Sequence, residues 1–294
     1  MLQLSEEFSA GRARLRVDVH GSTSREHVLE HMAFLNYRLA SVHREPTLKL
    51  SKPDLVWYQD DDNTNVSYDG STMTLTGEWA PGPLQKIIVT MLTLRMEAAG
   101  LHPFHAAAVR LSGRNILFLG GESNHGKSMA LIEACRRGAH QLATETTVIN
   151  DDGNAVMGSH EVFLLQRAKG TERADKAAPN RAVEKFFGTM PSWEVDEDVA
   201  PIDVVVVPAI DGNFDPSTVT MGQFESQFQT MHSMQNYLLL NELLAPGFMM
   251  PVVDTEALRS VRAGFAAKFT ADLPFYFIRA ATPQVLMDEV ERVM

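Results

Sequence analysis

Apolar and polar residues alternate along "ARLRVDV" (residues 13–19), the pattern of a half-buried strand. The period then lengthens. Val28, Met32, Leu35 and Leu39 fall on one helical face, and Thr23 with Glu26 forms a capping box ahead of them. Short β-type runs follow, "TLKL", "DLVWYQ", "NVSYDG" and "MTLTGEW", separated by turn-rich pieces, which predicts a small antiparallel sheet. Pro83 opens a second helix carrying Leu84, Ile87, Ile88, Met91 and Leu92 on one side, with Gly100 at its expected stop. Residues 1–100 thus read as a smaller N-terminal α+β domain.

From residue 101 the pattern is that of an α/β domain running to residue 294. "FHAAAVRLSGRNILFLGG" predicts two strands joined by a turn at Ser112–Gly113. The second strand, Ile116 to Leu119, is continuously apolar, as a strand covered on both faces should be. "KSMALIEACRRGA" predicts a helix with Leu131, Ala134 and Cys135 inward, and "HQLATETTVIND" predicts the next strand. "PIDVVVVPA" (201–209) and "PFYFIRA" (274–280) are further buried strands, and a closing helix from Thr282–Pro283 carries Leu286, Val290 and Val293. Residues 166–200 are polar and irregular, either a mobile loop over a site or a surface excursion.

Composition narrows the function classes. The 294 residues are 45% hydrophobic, enough for a sizeable core, and the net charge is −11. A general nucleic-acid or anionic-membrane binder would carry a basic surplus, so neither partner is expected. Cys135, the one cysteine, reads as a buried small hydrophobe. The lack of any disulfide pair and of a secretion signal at the N-terminus points to the cytoplasm.

Between the apolar strand and the amphipathic helix lies "GGESNHGKS" (120–128), of the form G-x-x-x-x-G-K-S with Gly121, Gly126, Lys127 and Ser128 in the defining places. The bare pattern arises by chance in roughly one chain of this length in a hundred, and its strand–loop–helix setting is rarer still. A loop that binds polyphosphate must turn several backbone N–H groups into one concavity, which favours glycine, and the following helix aims its positive end at the same place. Gly121, Glu122, Ser123, Asn124, His125, Gly126, Lys127, Ser128 and Met129 are therefore the candidate nucleotide-binding residues, a Walker A motif for ATP. Lys127 would reach the β and γ phosphates, and the Ser128 hydroxyl would hold Mg²⁺. His125 would contact phosphate or base, or point outward.

The stretch 104–149, "FHAAAVRLSGRNILFLGGESNHGKSMALIEACRRGAHQLATETTVI", resembles the HPr kinase/phosphorylase family and its looser relatives, a P-loop group related in fold to ATP-dependent phosphoenolpyruvate carboxykinase. His105 matches that family's histidine upstream of the loop, and His140–Gln141–Leu142 its turn after the helix. Its acidic pair falls on Glu145 and Thr146. The resemblance implies an HPr-kinase-like fold and ATP-dependent phosphoryl transfer, with Glu145 as base or second metal contact, His105 as auxiliary and Lys127 as charge clamp. It also implies a homo-oligomer. It does not imply that the acceptor is HPr. A hydroxyl of a peptide, protein or small molecule is expected, and biosynthetic or peptide-modification pathways use relatives of this kind. Thr146, which is no carboxylate, leaves a second outcome open: a nucleotide-binding regulator or scaffold with little turnover. ATP-driven activation of some other bond formation is a third.

Other candidates have simpler readings. His105 would also serve as a hydrogen-bonded core histidine, and His102 and His105, with Pro103 between them, make a poor metal pair. Asp151–Asp152 in "NDDGN" predicts a hairpin turn, with a metal carboxylate as the alternative, and Asp60–Asp62 a solvated turn. Arg167 and Lys169 read as surface charges, or as cations on a closing loop. Met231, Met234, Leu238 and Leu239 recur at helical spacing, as a core helix or an adaptable groove.

Overall fold

The computed structural model describes residues 2–21, 32–47, 52–120, 125–166, 183–210, 215–236 and 253–294. The protein is a mixed α/β structure. The first sheet contains β1 (Leu2–Ala10), β2 (Ala13–His20), β3 (Val42–Pro46), β4 (Leu55–Tyr58), β5 (Asn65–Tyr68) and β6 (Met73–Thr76), with helix α1 (Met32–Leu39) between β2 and β3 along the chain. Their spatial order is β3-β1-β2-β4-β6-β5. This sheet is mixed, not antiparallel as the turn-rich spacing predicted: β2, β4 and β6 run parallel to one another. All of the strand "TLKL" after Thr47, and the capping box at Thr23 and Glu26, lie outside the described residues, as does Val28. Strand β1 was not foreseen.

Helix α2 (Pro81–Ala98) lays the expected face, Leu84, Ile87, Ile88, Met91 and Leu92, against Phe8, Leu15, Val17, Trp57 and Leu75 of the first sheet. It ends at Gly100, whose φ of +72° favours glycine.

The second sheet begins with β7 (Leu101–Leu111) and β8 (Arg114–Leu119), joined by the tight turn at Ser112–Gly113. Then come α3 (Lys127–Arg136), β9 (His140–Ala143), β10 (Thr146–Asn150) and β11 (Asn154–Gly158). The predicted continuous strand over "HQLATETTVIND" is thus two strands, broken at Thr144–Glu145. Asp151 and Asp152 make the turn between β10 and β11. Strands β12 (Glu161–Gln166) and β13 (Val183–Thr189) pair as a separate ribbon, so the stretch 166–200 holds a regular strand where none was expected. The chain continues through β14 (Ala200–Pro201), β15 (Val204–Ile210), β16 (Ser217–Thr220), α4 (Gln223–Gln235), α5 (Glu256–Phe269), β17 (Phe275–Ala280) and α6 (Pro283–Val293). The order is β14-β11-β10-β7-β8-β15-β17-β16, with β9 also pairing β7. Strands β8, β15 and β17 are mutually parallel.

Alternation along these strands sends side chains to both faces. Phe104, Ala106, Leu117, Leu119 and Val205 meet Met234 of α4 and Phe265 and Phe269 of α5. Ala107, Val109, Ile116, Phe118 and Val206 meet Ala130, Leu131 and Ala134 of α3 and Leu286, Met287 and Val290 of α6. Both faces are covered, as the apolar runs required. Among the described residues no helix is long and apolar enough to cross a membrane.

A buried ionic cluster helps to join the two parts of the core. Arg262 of α5, 1% exposed, donates to both carboxylate oxygens of Glu97 in α2, at 2.7 and 2.5 Å, and to Asp254 at 3.2 Å.

Candidate functional site

The site follows from strand register. Ala106 of β7 pairs with Leu119 of β8, the last residue before the glycine loop, and His105 pairs with Thr146 of β10. His105 therefore sits one step past the end of β8, with Glu145 beside it. Period two also puts its side chain on the face of Ala107 and Val109, the face covered by α3. His102, three residues away, lies on the opposite face. It stacks on Phe265 at 3.8 Å, and its Nε2 is 2.8 Å from Asp151 Oδ1. The two histidines thus do not converge.

Glycine is required at 126. Its φ is +106°, and a Cβ there would lie 2.9 Å from Ile210 Cδ1 at the end of β15. The Ile210 N–H donates to the His125 carbonyl at 3.3 Å, tying the loop to that strand. Gly126 is the N-cap of α3 and has no side chain with which to cap the first turn. The first intrahelical bond runs from Ala130 N–H to Gly126 O. The helix start therefore presents backbone amides and the positive end of its dipole. Gly121, Glu122, Ser123 and Asn124 lie outside the described residues. His125 is half-buried, Ser128 half-buried and Met129 exposed.

Lys127 is 7% exposed and its Nζ donates to the Gly120 carbonyl at 2.8 Å. Burial pushes its amine down to about 8. Glu145 opposes that shift and Arg38 adds to it. Glu145 is the centre of the charge cluster. Its Oε1 lies 2.9 Å from His105 Nε2 and 3.7 Å from Arg38 Nη1. Burial alone would raise its acid, but the His105, Arg38 and Lys127 interactions outweigh it and hold the carboxyl at about 2.

A group held below its ordinary value of 4.5 stabilises the fold above that pH and loses the effect as pH falls through 2. Glu145→Gln should therefore cost about 3 kcal/mol at neutral pH, with the difference from wild type closing between pH 4.5 and 2. Urea unfolding of both proteins at pH 7 and pH 3 checks this.

The break at Thr144–Glu145 is itself built by hydrogen bonds. The Ser159 hydroxyl accepts from Glu145 N–H at 3.0 Å and Thr146 N–H at 2.9 Å, and Thr144 N–H donates to the Ser159 carbonyl at 2.8 Å. Such breaks re-aim side chains, and here Glu145 is turned toward His105. Beneath the strand, Ser233 Oγ of α4 donates to the His105 carbonyl at 3.2 Å. Thr146, fully buried, is not vacant either: its hydroxyl donates to the Arg38 carbonyl at 2.7 Å, with the Tyr37 carbonyl at 3.2 Å.

Sequence reasoning thus found Lys127, Glu145 and His105, and the structure brings these three together. It missed Arg38 and Ser159, which reach Glu145 across 107 and 14 positions with no motif to announce them. Arg167, Lys169, Leu238 and Leu239 lie outside the described residues. Met234 is core, and Cys135 is half-buried with its thiol pushed up to about 11 by burial, a poor nucleophile.

A hard cation taken together with phosphate would call for oxygen donors. Ser128 offers a hydroxyl and Glu145 a carboxylate, and among the described residues no group of three or more His, Cys, Asp or Glu gathers into a metal cage. Mg²⁺ is commonly held by one or two protein oxygens plus substrate phosphates.

In comparison with known proteins, the chain matches no family model and no curated protein.

Proposed function

We propose that the chain is an ATP-dependent phosphotransferase acting on a hydroxyl acceptor, with residues 101–294 as a P-loop domain of the HPr-kinase-like type and residues 1–100 as a smaller α+β domain. One observation carries this reading. A buried lysine follows the N-cap glycine at the start of a helix and shares its surroundings with a carboxylate–histidine pair. The order of strand, glycine loop and helix, with a parallel neighbour strand, supports it further.

The chemistry is an in-line displacement. The acceptor oxygen attacks the γ phosphorus, the bond from that phosphorus to the β,γ-bridging oxygen breaks, and ADP leaves. The hydroxyl proton passes to Glu145. The same phosphates would draw the Lys127 charge away from Glu145, and burial then moves its acid upward, toward a range where it accepts a proton. His105 orients the carboxylate. Ser128 would hold Mg²⁺, with Glu145 as a further ligand where it does not serve as base, and the bound metal would supply charge neutralisation on the phosphates.

Thr146, committed to backbone carbonyls, favours a second reading in which nucleotide is bound without turnover. Transfer of label from γ-labelled ATP to a panel of hydroxyl peptides and small molecules separates the two. Label should appear in an acceptor with wild type and disappear with Glu145→Gln, while ATP still binds both. Binding without transfer or hydrolysis supports the regulator, and no binding to wild type defeats both.

A further inference from the structure

Two cations, one from each half of the chain, act on Glu145. Arg38 and Lys127 both face it, on a chain whose net charge is −11. Arg38 comes from α1, beside the first sheet, so the candidate phosphate site is assembled from both halves of the chain. The guanidinium stands 3.7 Å from Glu145, beyond hydrogen-bond length, and is about one-fifth exposed. Partly exposed and close enough to Lys127 to bear on its charge, it lies where a ligand of Lys127 would also meet it.

The backbone that delivers Arg38 is fixed with unusual care. The two residues after α1, Ala40 and Ser41, have φ of +60° and +43°, a conformation that costs free energy for residues with a Cβ. Asn36 Oδ1 accepts from Val42 N–H at 2.7 Å, and Leu39 and Ala40 are fully buried. Thr146 closes the arrangement by donating to the Arg38 carbonyl. A carboxylate at 146 would face two carbonyl oxygens and push the turn away. The position where the resemblance leads one to expect a second acid is thus occupied by a residue that anchors an arginine.

We propose that Arg38 is a terminal-phosphate ligand of this site, resting against Glu145 in the free protein and moving onto the γ phosphate of a nucleoside triphosphate, with Thr146 as its positioning residue. This rests on the nucleotide-binding reading above. A planar guanidinium matches phosphate oxygens two at a time, which an ammonium does not. Its transfer also removes a second cation from Glu145, so occupancy by a triphosphate, and not by a diphosphate, frees the carboxylate.

The test is the ratio of ATP to ADP affinity, by calorimetry with Mg²⁺, for wild type, Arg38→Gln and Thr146→Val. Gln keeps most of the stem packing, and circular dichroism confirms that each variant is folded. Arg38→Gln should weaken ATP about 30-fold and ADP less than about threefold. Thr146→Val should weaken ATP about fivefold with ADP unchanged, because it loosens delivery and removes no phosphate contact. A merely structural role would weaken both nucleotides alike. An unchanged ratio in Arg38→Gln overturns the assignment while leaving the nucleotide site standing, whereas wild type that binds neither nucleotide overturns both.

Discussion

Replacing Lys127 with methionine is expected to weaken MgATP binding at least about 100-fold and to abolish any transfer, with the fold intact. Removing one partner of a buried charge pair costs about 2–5 kcal/mol, and Lys127 is a buried cation at the start of α3. Methionine keeps the unbranched stem and its packing while deleting the charge. Calorimetric titration with ATP and Mg²⁺ measures the loss.

The same residue should give the protein a distinctive pH dependence. The Lys127 amine titrates at about 8 when folded and near 10.5 when unfolded. Below pH 8 both states carry the charge and the folded state bears its full burial cost. Between 8 and 10.5 the unfolded chain holds the extra proton, so stability rises with pH. Relative to Lys127→Met, wild type should gain about 3 kcal/mol across that window. Phosphate needs the charged amine, so ATP binding at pH 9 should take up close to one proton, read from the buffer dependence of the binding heat.

The second large effect concerns the join between the two parts of the core. Arg262→Met is expected to destabilise the protein by about 3–5 kcal/mol, because it leaves the buried Glu97 and Asp254 carboxylates without their shared cation, and Glu97→Gln by less, because Arg262 keeps Asp254. Arg262 is 1% exposed and spans Glu97 of α2 and Asp254 before α5, so the loss should fall on the packing of α2 against α5. The double variant Glu97→Leu/Arg262→Met should cost less than the sum of the single changes, since no unpaired charge remains between those two sites. Urea unfolding of the three variants decides it. Additive losses would show that the two side chains act independently.

Local patterns carried much of the fold and the centre of the site. The helix α2, the hairpin at Ser112–Gly113 and the apolar strand before the glycine loop were legible because neighbouring residues alone determine them. Strand β1 was not. Its alternation is disguised by Glu6 and Glu7, both buried, and Glu6 is made tolerable inside in part by Arg44, 2.8 Å away on β3. The parallel pairing of β2, β4 and β6 escaped notice because alternation fixes which face is buried but not strand direction. Glu145 and His105 came from a resemblance, and their meeting depends on a register between β7 and β10 that no single segment encodes. Arg38 lay furthest from view. It is an ordinary basic residue in an amphipathic helix until the fold sets Thr146 beneath it.

The central claim is that the start of α3 holds the phosphates of a nucleotide. A crystal structure with Mg²⁺ and a non-hydrolysable ATP analogue tests it most directly. The β and γ phosphates should lie at the N-terminus of α3, with Lys127 Nζ moved from the Gly120 carbonyl onto a phosphate oxygen. Lys127 still bonded to Gly120, with the analogue bound elsewhere or absent, would contradict it.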